Sequence, residues 1–197
     1  MAVGSSMGAL IFEDNFNTAT GKATPVLDAT KGWIVDTPLY AATSGGIDGT
    51  AHLFTRKGGA EQLRKNMDVT TAVAGTEKWL ILSFMGYTDA YEDGEVGSVD
   101  YTLDDGANWI NAATFDNTVV GPWQPLTGFA LDTTTWTATE KAQFGFRFGA
   151  NGNLFTEHLR IDDVALNTST IPEPATLGLI AAMGGGILFI RRCFFMI

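Results

Sequence analysis

Apolar and polar residues alternate with a period of two over most of this chain, and this period constrains the fold more than any other feature. In Phe144–Phe148 the three phenylalanines fall on one face of an extended strand. Val99, Tyr101 and Leu103 alternate in the same way with polar residues. Between Ala9 and Asn167 there is no convincing apolar period of 3.6 residues. The pattern therefore predicts an all-β domain over residues 9–167.

Turn-forming residues divide this domain into short strands. Thr, Gly, Asp and Asn cluster between the apolar runs, and the 23 glycines of the chain suit many tight turns. Trp79–Phe84 is almost continuously apolar, as expected of a central strand that is covered on both faces. Gln62–Val69 could begin a short helix, but one isolated amphipathic turn is marginal, so we predict a strand there. The spacing predicts a two-sheet antiparallel β-sandwich. The ten predicted strands are Ala9–Phe16, Gly32–Asp36, Ala51–Phe54, Gln62–Val69, Trp79–Thr88, Gly97–Leu103, Trp109–Phe115, Phe129–Leu131, Ala142–Phe148 and His158–Leu166.

The charge balance limits the kinds of partner. The whole chain has a net charge of −10, and 10 basic against 21 acidic residues remain outside the C-terminal segment described next, which gives about −11. Nucleic acid and anionic lipid headgroups are poor partners for such a surface, whereas divalent cations and neutral sugars are better ones. The one cysteine, Cys193, lies in the C-terminal segment, so the domain has no disulfide.

The C-terminal segment has three parts in a fixed order. A Pro-Glu-Pro triplet closes a linker over residues 168–174, the run Ala175–Ile190 has no charge, and Arg191 and Arg192 follow it. As a helix this run is about 24 Å long, slightly less than the ~30 Å hydrocarbon core of a bilayer. A helix in a soluble core would need polar positions for its solvent face, and the run has none. We therefore predict one transmembrane helix and a short tail over residues 175–197, with the arginines on the cytoplasmic side.

This order of parts resembles the PEP-CTERM sorting signal of Gram-negative bacteria. The residues that carry the resemblance are Pro172, Glu173, Pro174, Arg191 and Arg192, although the Cys-Phe-Phe-Met-Ile ending differs from the basic ending common in the family. The resemblance implies an exosortase-type membrane protease as partner. It also implies inner-membrane anchoring with a cytoplasmic C-terminus, followed by release to the cell surface or medium. Export needs a signal peptide, and Met1–Leu10 does not resemble one. We therefore expect either that the natural start lies upstream or that the signal peptide was trimmed.

Three segments of the domain carry a second resemblance. Thr102–Trp109 fits an Asp-box, a hairpin turn that we interpret as structural because it occurs once, without a blade repeat. Together with Ile11–Phe16 and Leu159–Leu166 it resembles galactose-binding-like and concanavalin-like jelly rolls. The resemblance implies that the first and last strands are neighbours and that a structural Ca²⁺ lies at their ends. The implied ligands are Glu13, Asp14, Asp162 and Asp163, whose oxygens suit Ca²⁺. The alternative is that one carboxylate of each pair faces solvent.

Exposed aromatic rings are the best candidates for ligand binding. Tyr87, Tyr91, Trp109, Trp123 and Trp136 could stack on sugars, and core packing is the alternative for each of them. We select Tyr91, Trp123 and Trp136, because Trp123 lies between Gly-Pro and Gln-Pro and Trp136 lies among threonines, which are loop-like surroundings, and Tyr91 lies in the acidic loop Thr88–Glu95. His52 and His158 lie in separate strands without metal-ligand spacing, and no Gly-x-Ser-x-Gly nucleophile motif is present. We therefore predict a protein that is not an enzyme.

The sequence thus predicts an exported surface or extracellular-matrix protein with a structural or adhesive role and weak glycan binding. Two alternatives stay open at this point. One is a glycan-active hydrolase on the same fold, which needs two carboxylates about 5–10 Å apart in a cleft. The other is a structural subunit that binds no ligand.

Overall fold

The structure is an antiparallel β-sandwich, as the period of two predicts. This computed structural model describes residues 8–19, 27–36, 40–42, 44–47, 49, 51–56, 62–152, 154 and 156–170. In this part of the chain, no helix is long and apolar enough to cross a bilayer. The predicted sorting motif and transmembrane helix, from residue 171 onward, lie outside the described residues.

Eleven strands and one short α-helix make up the described fold. In chain order they are β1 (Leu10–Asp14), β2 (Ile34–Asp36), β3 (Tyr40–Ala42), β4 (His52–Arg56), β5 (Gln62–Asn66), β6 (Trp79–Asp89), β7 (Gly97–Thr102), β8 (Ile110–Phe115), β9 (Gln124–Asp132), α1 (Ala138–Ala142), β10 (Gly145–Ala150) and β11 (His158–Ser169). A single 3₁₀ turn at Ala29–Lys31 precedes β2.

The strands form two sheets that are organised around long central strands. The first sheet has the order β3-β4-β11-β6-β9, and the second has the order β2-β5-β10-β7-β8. One edge of β11 pairs with β6. The other edge pairs first with β4, over His158–Ile161, and then with β1, over Val164–Asn167. The first and last strands of the domain are therefore neighbours, as the jelly-roll resemblance implied.

The core lies between the sheets and is rich in phenylalanine. Phe84 of β6 packs edge-on against Phe148 of β10 and Phe115 of β8, with ring centroids 4.9 and 5.6 Å apart. Every second residue of β6 from Leu80 onward is buried, and Leu80, Leu82 and Phe84 among them belong to this core. The residues between them are half-buried on the outer face. The prediction that Trp79–Phe84 is covered on both faces is thus correct for the core side and only partly correct for the other side.

All ten predicted strands correspond to observed ones, and two elements were missed. β3 has three residues, Tyr-Ala-Ala, which is too short to show any alternation. α1 begins at a capping box, in which the Thr137 side chain accepts from the Glu140 amide and the Glu140 side chain accepts from the Thr137 amide. A five-residue helix cannot show an apolar period, so only this cap could have predicted it. β9 is also longer than predicted and begins directly after Trp123.

The Asp-box segment forms a turn between β7 and β8 that its own side chains hold together. Asp104 accepts hydrogen bonds from the backbone and side-chain amides of Asn108, at 2.8 and 2.6 Å, and from the Thr102 hydroxyl at 2.7 Å. Gly106 lies in the left-handed region at φ 91°, where glycine carries no steric penalty. These bonds, those from Asn108 first, lower the pKa of Asp104 to about 2. Each polar group named has its partner within the turn, which agrees with a structural role.

Candidate functional site

Six side chains from three strands and one loop form a connected group on the outer face of the first sheet, which we call the platform. Alternation turns them away from the core, and register brings them together. Phe54 and Tyr87 lie on either side of Arg160, and Asp89 lies opposite His158. The platform consists of His52 and Phe54 on β4, Tyr87 and Asp89 on β6, Arg160 on β11, and Trp123 immediately before β9.

Trp123 is the aromatic centre of the platform. Its ring stands edge-on to the rings of His52 and Tyr87, with centroids 5.2 and 5.0 Å apart. Its indole N–H donates to the carbonyl of Gly45 at 3.0 Å. Gly121 lies against the Tyr87 ring, where an added Cβ would come within 3.3 Å of it. Trp123 and Tyr87 both remain partly exposed, so the platform presents fixed aromatic surface to solvent.

Arg160 is the polar centre of the platform. Its Nη2 and Nε donate to Oδ2 of Asp89 at 2.7 and 3.3 Å, and its Nη1 donates to Nε2 of His52 at 3.0 Å. The guanidinium also lies 5.4 Å from the ring centroid of Phe54 and 5.5 Å from that of Tyr87, within cation–π range. The Asp89 side chain is 42% exposed and that of Arg160 is 21% exposed. Hydrogen-bonding groups therefore reach solvent beside the aromatic rings.

His52 is the most buried residue of the platform and is neutral at pH 7. Only 2% of the residue is exposed. Burial, and after it the positive charges of Arg160 and His158, lower the pKa of His52 from 6.5 to about 4. The neutral ring can then accept the hydrogen bond from Arg160 through Nε2, because a guanidinium only donates.

The structure separates the three aromatic residues singled out in the sequence. Trp123 belongs to the platform, whereas the other two belong to packed regions. Tyr91 is 8% exposed, and its ring lies near Gly152 in a loop cluster. Trp136 stacks on Tyr101 and Phe144, at 6.0 and 5.6 Å, and packs against the core. Trp136 thus packs as its alternative describes and Tyr91 is buried among loop residues, and glycan binding by either ring stays a prediction.

Several platform residues were missed from the sequence. His52, Asp89 and Arg160 were not selected as ligand-binding residues. Alternation could have placed Tyr87 and Asp89 on one face of β6, opposite Leu80, Leu82 and Phe84. Nothing in the sequence gives the strand register that places Arg160 between Tyr87 of β6 and Phe54 of β4.

Three of the four acidic residues predicted to bind calcium, Glu13, Asp14 and Asp163, line one depression where β1 meets β11, and the fourth, Asp162, precedes Asp163 on β11. In each pair one residue is buried and the other is exposed. Asp14 is buried, and its carboxylate accepts from the Phe16 amide at 2.8 Å and from the Trp33 indole N–H at 2.7 Å. Asp162 is buried, and its carboxylate accepts from the amides of Asp163 at 2.9 Å and Ile47 at 3.1 Å. Glu13 and Asp163 are the exposed members.

These bonds supply the buried carboxylates with neutral partners. Lys31 adds a cation at the same place, because its ammonium donates to the Glu13 carbonyl oxygen at 2.7 Å and lines the same depression as Asp163. Among the described residues, no group of three or more His, Cys, Asp or Glu could hold a metal ion. The described residues thus do not form a ready ligand set, and calcium binding at this end of the sandwich stays a prediction.

Comparison with known proteins finds similar structures but no similar sequences. No protein-family model matches the chain, and no curated protein matches it. Among solved structures, the C-terminal family 22 carbohydrate-binding module of Clostridium thermocellum Xyn10B is similar over 85% of this chain and 99% of its own, with a TM-score of 0.54 and 11% identity.

Two further structures have similar scores. A xylan-binding domain of the same module family matches 85% of this chain and 99% of its own, with a TM-score of 0.53 and 9% identity. The tandem family 22 modules of Paenibacillus barcinonensis Xyn10C match 86% of this chain and 48% of their own length, with a TM-score of 0.52 and 12% identity. At these identities the likeness shows the fold, the jelly-roll sandwich of carbohydrate-binding modules.

Proposed function

We propose that this chain is a non-catalytic carbohydrate-binding protein that holds a neutral polysaccharide on the platform. The observation that carries the proposal is the placement of Trp123 and Tyr87 beside Asp89 and Arg160 on the outer face of a sheet. Sugar rings have apolar C–H faces that pack on aromatic rings, and hydroxyl groups that need hydrogen-bond partners at the edge. The platform offers both kinds of group next to each other.

Two further considerations support a neutral polysaccharide. The similar solved structures include modules described as xylan-binding, which makes β-linked xylan-type chains the first ligands to test. The net charge of −10 disfavours acidic polymers. In addition, the guanidinium of Arg160 already donates to Asp89 and His52, and this reduces its capacity to bind a ligand carboxylate.

The platform gives little support to the rival hydrolase. Glycoside hydrolysis normally needs two carboxyl groups on either side of the scissile bond. Of the six residues that define the platform, only Asp89 has a carboxylate, and its Oδ2 is bound to Arg160. We therefore keep the proposal of binding without catalysis.

The test is binding of the full chain, in detergent, to a panel of soluble polysaccharides by affinity electrophoresis and calorimetry. The panel contains xylan, mixed-linkage β-glucan, galactan and acidic polygalacturonate. We expect retardation by at least one neutral polymer. We expect Trp123→Ala to weaken that binding about tenfold or more, because it removes the stacking ring.

Trp109→Ala is the matched control. Trp109 packs under the Arg147 guanidinium, 4.3 Å from its ring, beside the second sheet and away from the platform. The control should bind as the wild type does. Equal losses in both variants, or no binding to any neutral polymer, would contradict the proposal and favour a structural subunit without a ligand.

We further propose that the protein is exported and sorted through its C-terminal segment. The support is the sequence order of Pro172–Pro174, the uncharged run Ala175–Ile190, and Arg191 and Arg192. An exosortase-type protease in the inner membrane would process the chain near the triplet, leaving the domain at the cell surface or in the extracellular matrix. Mass spectrometry of material from a producing cell should find a C-terminus near residue 172, and an intact C-terminus on secreted protein would remove the processing step.

A further inference from the structure

His52 is the residue that joins the two halves of the platform. Its ring stands 5.2 Å from that of Trp123, in the aromatic half. Its Nε2 accepts from Nη1 of Arg160, in the polar half, at 3.0 Å. Because the residue is 2% exposed, water cannot easily take the place of either contact.

This arrangement fixes the protonation state of the ring. The guanidinium of Arg160 can only donate, so Nε2 must have a free lone pair, and the single proton of the neutral ring is on Nδ1. In the described part of the chain, Nδ1 has no hydrogen-bond partner. A second proton would go to Nε2, where it would point at the Arg160 N–H donor and place two positive charges about 3 Å apart.

The surrounding charges do not compensate for such a proton. β11 contributes Arg160 and His158, whose positive charges also oppose protonation of His52. β6 contributes Asp89, but its Oδ2 accepts from Arg160 at 2.7 Å and lies 3.8 Å from Nδ1 of His158. β11 also carries Asp162, whose two carboxylate oxygens accept from the backbone amides of Ile47 and Asp163. From the β9 side the ring meets Trp123, which has no charge.

We propose that neutral His52 is the positioning residue of the platform, holding Trp123 and Arg160 in the arrangement that binds glycan, and that acid abolishes binding by protonating it. This inference rests on the proposed glycan binding, and it adds a regulation of the same site. His52 acts through its two neighbours and need not touch the sugar.

The expected pH range follows from the burial of His52. Its pKa of about 4 in the folded protein is below the value of 6.5 in the unfolded chain. The neutral ring therefore contributes stability that is fully present above pH 6.5 and is lost as the pH falls towards 4. Binding should remain intact at pH 6, fall to about half near pH 4 and be about tenfold weaker near pH 3, whereas an unburied histidine would act near pH 6.5.

The experiment compares the affinity of four full-length proteins for the tightest-binding neutral polysaccharide of the panel at pH 7, 6, 4 and 3. The wild type should lose about twofold in affinity between pH 6 and pH 4 and about tenfold by pH 3, because about half of the His52 rings are protonated at pH 4 and about nine-tenths at pH 3. His52→Gln should lose much less, because the glutamine carbonyl oxygen can accept from Arg160 and does not titrate. His52→Phe keeps a ring against Trp123 but has no acceptor, so it should bind more weakly already at pH 7. His158→Gln should retain the acid loss of the wild type.

A second readout does not depend on binding. The chain has two histidines, so their imidazole resonances can be assigned with His158→Gln and followed by NMR titration. His52 should titrate near pH 4 with the proton on Nδ1 when neutral, and the near-ultraviolet circular dichroism of the tryptophans should change with the same midpoint. Titration of His52 near 6.5, or equal acid losses in wild type and His52→Gln, would overturn the inference. A wild type that binds nothing at pH 7 would overturn the proposed function, and the titration would still decide whether His52 holds Trp123.

Discussion

Replacing Phe84 with alanine should lower the free energy of unfolding by about 3–5 kcal/mol, the usual cost of removing a large ring from a packed core. Phe84 is 2% exposed. Its ring contacts those of Phe115 and Phe148 in the second sheet and stacks on Phe129 of the first, with centroids 5.6, 4.9 and 6.0 Å apart. The cavity would therefore open where the two sheets meet, and the surrounding strands cannot easily close it. Urea unfolding at pH 7, followed by tryptophan fluorescence, measures the change.

Ile110→Ala is the matched control for this prediction. Ile110 begins β8 and is 45% exposed, so its truncation should cost less than about 1 kcal/mol. Since a domain of this size has a total stability of about 5–15 kcal/mol, the Phe84 variant should lose a large part of it. A loss below about 1.5 kcal/mol would mean that the two sheets do not pack through this ring.

Asp14→Ala should be the most destabilising change at the surface end of β1, with a loss of about 2–4 kcal/mol. It leaves two donors without an acceptor, the amide of Phe16 and the indole N–H of Trp33. Hydrogen bonds to a charged acceptor contribute about 1.5–3 kcal/mol, and an orphaned buried donor costs a comparable amount. Trp33 packs edge-on against Phe12 and Phe146, so its displacement would also disturb the core.

Glu13→Ala is the control, because Glu13 is the exposed neighbour of Asp14 in the same strand, and the variant keeps the backbone carbonyl oxygen that accepts from Lys31. It should change the stability by less than about 0.5 kcal/mol. Equal losses in the two variants would show that Asp14 does not act through the bonds to Phe16 and Trp33.

The same pair of variants tests the calcium hypothesis. Melting temperatures are measured in EDTA and in millimolar Ca²⁺. If a bound ion contributes, Ca²⁺ should raise the melting temperature of the wild type, and Glu13→Ala should reduce the increase. A wild-type melting temperature that does not change would remove calcium from this site and leave the hydrogen bonds of Asp14 and Asp162 as the explanation for their burial.

The strands could be predicted from the sequence because their signal is local. Alternation in β7 and β10, and the apolar run of β6, depend only on which face of a strand meets the core. β5 was also predicted as a strand, because the alternative for its sequence, one isolated helical turn, would not be stable alone. β3 and α1 were missed because three or five residues carry no measurable period, although the capping pair Thr137 and Glu140 was visible in the sequence.

The platform could be predicted only in part, because its signal is not local. Trp123 stood out by its surroundings of glycine and proline. Arg160 and His52 are 108 residues apart in the chain and meet through the pairing of β11 with β4, which no residue pattern specifies. The rings of Tyr91 and Trp136 have loop-like sequence surroundings as well, yet they are packed, since composition does not say which side of a loop faces the core.

The position of β11 has a mechanical consequence. Arg160 of the platform lies near the start of this strand, and the chain leaves the domain after its end, at Ser169. A pull between a polysaccharide held on the platform and a tether attached beyond Ser169 would run along β11 itself. β6 borders one edge of the strand, and β4 and β1 border the other. The force would therefore load the hydrogen bonds of both edges together, in shear, and would not break them one at a time. A domain loaded in this way would release its ligand before it unfolds.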